Sequence, residues 1–125
     1  MLKKEGRGVV LKTGINLVSL KDAEKVVKSK EGLKKFFHKN ELKNTKLESL
    51  AGILALKEAF FKALEIAPPK WLEIEVLQNK TRKPNINWNE GKMNNILSID
   101  SSVNHNGEYA VATVTVLMRK EEKKF

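Results

Sequence analysis

Two charged side chains, Glu58 and Lys62, lie one helical turn apart in a mostly apolar stretch of this 125-residue sequence. The stretch from Leu47 to Glu65 reads LESLAGILALKEAFFKALE and contains no proline, which predicts a long helix. At about 100° per residue, Glu58 falls roughly 20° from Leu47, among leucine and phenylalanine side chains. A carboxylate there is costly to desolvate unless a cation or hydrogen-bond donors meet it. The position therefore predicts a metal or substrate site or, more simply, a solvated i, i+4 ion pair with Lys62.

Composition limits the class of protein. There is no cysteine, which excludes disulfides and thiolate metal sites. The 24 Lys and Arg residues against 15 Asp and Glu give a net charge of +9 and predict an anionic partner. Aromatic residues make up only 6%, so nucleic-acid binding by base stacking is disfavoured. No apolar run reaches the ~20 residues of a membrane span and no secretory signal is visible, so we expect a cytoplasmic protein.

The remaining pattern predicts one α+β domain over residues 1–125, in which an antiparallel sheet packs around the long helix. We expect a core at 8–118 and a charged tail at 119–125. Apolar alternation predicts strands at 9–20, 71–77, 84–88, 96–103 and 109–118. Short helices are expected at 21–30 and 33–37 with a break at Gly32, a polar connection at 41–46 and a turn at 104–108. Gly14 marks a bulge or a close approach of another backbone.

Three separated pieces of the chain form a recognisable series: the strand Gly14-Ile15-Asn16, the helix LAGILALKEAFFKAL, and SVNH before the last strand YAVATV. In this order they resemble the holo-acyl-carrier-protein synthase family of 4′-phosphopantetheinyl transferases. That family carries a G-(I/V)-D strand, an A-G-R-x-A-x-K-E-A-x-x-K-A helix, a G-K-P turn and an S-x-S/T-H turn. The resemblance covers residues 9 to 118.

The resemblance implies transfer of 4′-phosphopantetheine from coenzyme A to a serine of an acidic acyl carrier protein. It implies that Asn16 and Glu58 bind a divalent cation, usually Mg²⁺, which bridges to the coenzyme A pyrophosphate. It also implies that Lys62 steadies phosphate oxygens and assists proton transfer. Which carrier is used, in fatty-acid or polyketide synthesis, stays open.

The same resemblance predicts the nucleotide site and the assembly. Lys83 and Pro84 match the end of the G-K-P turn near the adenine, and Ser102 and His105 match the turn against the nucleotide. In that turn Asn104, which we also assign to the nucleotide site, stands where the family has Ser or Thr. Without the motif, His105 would be interpreted as a surface histidine and Lys83-Pro84 as a simple turn. The family implies a homotrimer with sites shared between neighbouring subunits.

Several positions depart from the family pattern: Asn16 replaces the metal-binding aspartate and Ile53 replaces the arginine of A-G-R. Glu65 replaces the glycine that follows the helix in the family, and Arg82 replaces the first glycine of G-K-P. Besides an active transferase, two alternatives therefore remain open. One is a divergent relative that binds coenzyme A or a carrier without efficient transfer, and the other is an unrelated basic nucleic-acid-binding module.

Overall fold

The computed structural model describes residues 8–43, 46–78, 83–89 and 91–120. Arg82 and residues 121–125 of the expected tail lie outside these ranges. The strands are β1 Val9–Ser19, β2 Ile74–Gln78, β3 Pro84–Trp88, β4 Ile96–His105 and β5 Tyr109–Arg119. The helices are α1 Leu20–Val27, α2 Lys30–Phe36 and α3 Leu47–Ala63, with 3₁₀ turns at Lys39–Lys43 and Trp71–Glu73. Within the described ranges, no helix is both long and apolar enough to cross a bilayer.

The strands form an antiparallel three-stranded sheet in the order β1-β5-β4, while β2 and β3 pair with each other as a separate antiparallel hairpin. The helix α3 lies across one face of the larger sheet. The predicted α+β class, with an antiparallel sheet around a long helix, is confirmed. Its division into a sheet and a hairpin was not predicted.

Strand β5 is the centre of the sheet, and its alternating side chains separate an inner face from an outer one. Ala110, Ala112, Val114 and Val116 are buried on the inner face toward α3. The outer face carries large apolar side chains from β1 and the start of β5 that are 43% to 67% exposed. These are Val9, Leu11, Ile15, Leu17 and Tyr109. The outer face is therefore an uncovered apolar surface in the single chain.

Gly14 allows β1 and α3 to touch backbone to backbone. A Cβ at this position would lie 2.0 Å from the Ala59 carbonyl oxygen and 2.8 Å from the Ala63 nitrogen. The expected close approach at Gly14 is thus confirmed, and it fixes how deeply α3 sits on the sheet.

The end of α3 differs from the prediction by two residues, because the helix stops at Ala63 instead of continuing to Glu65. Glu65 adopts a left-handed backbone with φ of 59°, and the Ile66 N–H donates to the Phe61 carbonyl at 2.9 Å. This is the usual way to close a helix, although glycine is the residue that adopts it without steric cost.

Two other boundaries were wrong. Gly32 does not break a helix but lies inside α2. A Cβ at Gly32 would lie 2.1 Å from the Val26 carbonyl oxygen, so the position requires glycine. Ser29 caps α2 through its side-chain oxygen, which accepts a hydrogen bond from the Gly32 N–H at 2.9 Å. The strand expected from Trp71 begins only at Ile74. Residues 71–73 instead form a 3₁₀ turn, in which the Glu73 N–H donates to the Lys70 carbonyl at 2.9 Å.

A buried ion pair joins α3 to the segments around it. Lys57 Nζ lies 2.7 Å from Glu41 Oε1, both side chains are fully buried, and Lys57 also donates to the Phe36 carbonyl at 2.8 Å. Glu41 accepts from the His38 and Val76 backbone N–H groups, each at 2.7 Å. Burial lowers the pKa of Lys57, and the hydrogen bond to Glu41 opposes that shift. The polar connection expected at 41–46 was therefore wrong for Glu41, which is in the core.

Substitution of Gly14 tests the close approach of β1 and α3. We expect Gly14→Ala to lower the free energy of unfolding by at least about 2 kcal/mol, because backbone atoms of α3 cannot move aside easily. Gly107→Ala is the matched control, since nothing lies within 4 Å of a Cβ there. Urea denaturation measures the free energy of unfolding of both variants. Equal values for the two would contradict the close packing of β1 against α3.

Removal of Lys57 tests the buried pair. We expect Lys57→Met to cost about 3–5 kcal/mol, because it leaves the Glu41 carboxylate buried without its cation. Adding Glu41→Gln in the same background should recover part of this loss, since the unpaired charge disappears. Chemical denaturation of the single and double variants gives the coupling between the two side chains. Additive losses would show that the pair does not act as a unit.

Candidate functional site

Asn16, Glu58 and Lys62 come together where β1 crosses α3. Asn16 lies two residues beyond Gly14 on the inner face of β1, so the close approach at Gly14 brings its amide to the Glu58 carboxylate, to which it hydrogen-bonds. Lys62 Nζ donates to the Ile15 carbonyl oxygen at 3.2 Å. The three residues that sequence reasoning selected for a cation and phosphates are therefore adjacent.

Glu58 is half-buried, and this burial raises the pKa of its carboxyl group. The hydrogen bond from Asn16 and the nearby charge of Lys62 act in the opposite direction. The surroundings thus differ from those of a fully solvated i, i+4 pair, because the carboxylate is partly removed from water and faces the sheet.

The donor set at this point suits a hard divalent cation. An ionised carboxylate can only accept hydrogen bonds, so the Asn16 amide nitrogen is the donor and its carbonyl oxygen remains a possible ligand. Mg²⁺ takes one or two protein oxygens together with phosphate and water oxygens. Across the described part of the chain, no group of three or more His, Asp or Glu side chains is placed to hold a metal. Glu58 and Asn16 could supply part of a coordination shell.

A second group of predicted residues lines a cleft of about 380 Å³ beside β4. Lys83, Pro84 and Ser102 all line it, together with Asp100, Ser101, Val103, Thr113 and Thr115. Lys83 Nζ lies 2.6 Å from the Asp100 carboxylate, which holds the pKa of Asp100 below its usual range. The cleft therefore combines hydroxyl groups with a cation whose charge is already partly balanced.

Asn104 and His105 are the last residues of β4, and not part of the turn that was predicted at 104–108. The turn is made by the next residues, where the Asn106 side chain accepts from the Glu108 and Tyr109 backbone N–H groups. His105 Nδ1 lies 3.1 Å from the Glu48 carboxylate in the first turn of α3. Asn104 accepts from the His105 backbone N–H at 2.9 Å.

The two groups do not meet within one chain. His105 contacts Glu48, and Glu58 is ten residues further along α3, or about 15 Å along the helix axis. Ser102 and Asn104 point to the outer face of β4, whereas Asn16 and Glu58 lie on the inner face of the sheet. A single chain therefore carries two separate parts of the predicted site.

Sequence reasoning missed three charged residues that contact the site or support it. Asp100 pairs with Lys83, and Glu48 pairs with His105; neither acid stands out in the sequence. Lys57 was detectable, because it falls about 20° from Leu64 on the apolar side of the helical projection. A lysine in that position predicts a buried cation and hence a buried acid.

Comparison with known proteins gives the family. No family model matches the chain. The holo-[acyl-carrier-protein] synthase of Helicobacter pylori strain G27 is 37% identical over 112 residues, which cover 82% of this chain and 94% of the relative. The protein of the same name from Nautilia profundicola is 32% identical over 110 residues, covering 83% of this chain and 97% of the relative.

Solved structures agree with the sequence relatives. The H. pylori holo-[acyl-carrier-protein] synthase in complex with coenzyme A is 35% identical, with a TM-score of 0.77, covering 83% of this chain and 98% of that one. The Bacillus anthracis synthase in complex with coenzyme A (3′,5′-ADP) is 26% identical, with a TM-score of 0.72, covering 89% and 99%. The fold is that of the 4′-phosphopantetheinyl transferases, and the chain belongs to the holo-[acyl-carrier-protein] synthase family. Neither alternative interpretation gains support from these comparisons.

Proposed function

We propose that this chain transfers 4′-phosphopantetheine from coenzyme A to a serine hydroxyl of an acyl carrier protein. The observation that carries the proposal is the contact of Glu58 with Asn16 and Lys62 at the crossing of β1 and α3. It places a carboxylate, an amide oxygen and a cation where a diphosphate with its counter-cation can bind. Relatives named holo-[acyl-carrier-protein] synthase, which match most of the chain, support a transferase function for it.

The reaction forms a bond between the carrier serine oxygen and the pantetheine-bearing phosphorus, and it breaks the diphosphate linkage to release 3′,5′-ADP. A Mg²⁺ or similar cation, when bound, would supply positive charge to neutralise the diphosphate. Glu58 and Asn16 would hold that cation through their side-chain oxygens. Lys62 is placed to contact phosphate oxygens and to take part in proton transfer at the same position. Such a reaction requires mainly positioning and charge neutralisation, which these three side chains provide.

The nucleotide part of coenzyme A belongs in the cleft lined by Lys83, Pro84 and Ser102, with His105 and Asn104 at the end of β4. The hydroxyl groups of the cleft offer hydrogen-bond partners to the ribose and phosphate oxygens. The Lys83 ammonium group has three N–H donors, so it can contact a phosphate oxygen while it remains paired with Asp100.

Assembly into a homotrimer would join the two parts of the site. Within one chain, His105 contacts Glu48, which lies about 15 Å from Glu58 along the axis of α3. A neighbouring chain can present its own nucleotide cleft to Glu58. The exposed apolar side chains on the outer face of the sheet supply a surface for this contact. The proposals of a trimer and of a shared site thus rest on the same two observations: the separation of the two parts of the site and the exposed apolar face of the sheet.

The carrier protein is expected to be acidic because the surface of α1 and α2 is basic. Lys21, Lys25, Lys28, Lys34 and Lys35 are all exposed there. Opposite charges on two partners increase the encounter rate, and salt weakens this effect. We place the protein in the cytoplasm with its coenzyme and carrier, as the sequence predicts.

Glu58→Ala tests the assigned site. We expect the variant to lose transfer by at least about a hundredfold, because the anionic ligand of the cation is gone. Its fold should persist, since a carboxylate disfavoured by burial is removed. The measurement is the mass gained by a panel of apo carrier proteins incubated with coenzyme A and Mg²⁺. Glu108→Ala, in an exposed turn, is the control. A parent chain that modifies no carrier would refute the proposed function, and full activity of Glu58→Ala would refute the site.

Mixing two inactive variants tests the shared site. Glu58→Ala and His105→Ala should each be inactive alone, yet refolding them together should restore about a quarter of the parent activity by random assortment in a closed ring. Restoration occurs because some sites then combine the intact Glu58 of one chain with the intact His105 of its neighbour. No recovery in mixed oligomers of confirmed composition would place both residues in a site within one chain.

A further inference from the structure

The residues around Glu58 carry almost no net negative charge. Asn16 is neutral, and Lys62 contributes a positive charge that is close enough to act on Glu58. The next carboxylate along this side of β1 belongs to Glu65, and Lys12 already pairs with it at 2.9 Å. Among the described residues, no group of three or more Asp, Glu or His side chains is placed to hold a metal.

Such a charge balance disfavours a free dication. Hard cations bind according to the number of anionic oxygens that surround them. Here Glu58 supplies anionic oxygens beside the neutral Asn16, and the positive charge of Lys62 lies nearby. The Asn16 amide also donates to the Glu58 carboxylate and thereby occupies part of its accepting capacity. A diphosphate group would change this balance, because it brings several negative oxygens to the same place.

We propose, on the basis of the proposed function, that Asn16 makes divalent-cation binding conditional on coenzyme A. The chain holds the cation only together with the diphosphate, and cation and coenzyme enter as one unit. An aspartate at position 16 would add a second carboxylate at the contact with Glu58 and allow the cation to bind first. Asn16 thus sets the order of assembly at this site.

The test uses Mn²⁺ as the probe, because carboxylate, carbonyl and water oxygens suit it as they suit Mg²⁺. Water-proton relaxation reports protein-bound Mn²⁺ without any turnover. The parent, Asn16→Asp and Glu58→Gln are titrated with Mn²⁺ in the absence and presence of coenzyme A, and protein-free mixtures correct for Mn²⁺ bound to coenzyme A in solution. Asn40→Asp, which makes the same charge change at an exposed position, is the matched control. Calorimetry follows coenzyme A binding in parallel.

We expect the parent and Asn40→Asp to bind Mn²⁺ only when coenzyme A is present. Asn16→Asp should bind Mn²⁺ in the absence of coenzyme A, with an affinity about tenfold or more above that of the parent under the same condition. The reason is the full negative charge added at contact distance from the cation. Glu58→Gln should lose the Mn²⁺ signal in the coenzyme complex.

Two results would overturn the inference while leaving the proposed function intact. One is Mn²⁺ binding by the parent without coenzyme A at the affinity of Asn16→Asp. The other is coenzyme A binding by the parent with no bound Mn²⁺. If the parent binds no coenzyme A at any Mn²⁺ concentration, the proposed function fails as well. The parent titrations decide the question even if Asn16→Asp does not fold, which circular dichroism would reveal.

Discussion

The contact between the Gly14 backbone and the backbone of α3 is the constraint on which the rest of the structure depends. With no side chain at Gly14, the helix lies directly on β1, against the Ala59 carbonyl. Asn16 lies two residues further on the same face of β1, so its amide meets Glu58. The same depth places Lys62 against the Ile15 carbonyl. The packing of the core and the geometry of the site are therefore coupled, because both depend on the position of α3 on the sheet.

The ion pair of Lys57 and Glu41 supports this arrangement from the opposite side of the helix. Lys57 and Glu58 are consecutive, so one turn of α3 presents a cation to the core and an acid to the sheet. Burial is unfavourable for each charge. Lys57 is fully buried and contacts Glu41 and the Phe36 carbonyl, whereas Glu58 is half-buried, with Asn16 and Lys62 beside it. The buried pair holds Lys57 toward the core, and Glu58, the neighbouring residue, stays partly exposed to solvent.

The fold could be predicted well from sequence where the pattern is long and periodic, as in α3 and β5. The prediction failed where the local structure depends on another segment of the chain. Gly32 lies within a helix that α1 approaches closely, and Glu41 is buried because it pairs with Lys57. In the site, Glu58 was found because a charge in an apolar stripe is unusual. The contact with Asn16 could not be seen in the pattern of β1 alone. The distance between His105 and Glu58 could not be predicted either, because it depends on where β4 ends relative to α3.

The uncovered outer face of the sheet has a consequence for the chain in the cell. Leu11, Leu17 and Ile15 present β-branched and aliphatic side chains on one open strand surface, which is also a surface that favours aggregation. While this surface stays open to water, the folded chain is more prone to aggregation and to recognition by chaperones and proteases than its buried core alone would suggest. A ligand or partner that covers it would stabilise the folded state in proportion to its free concentration.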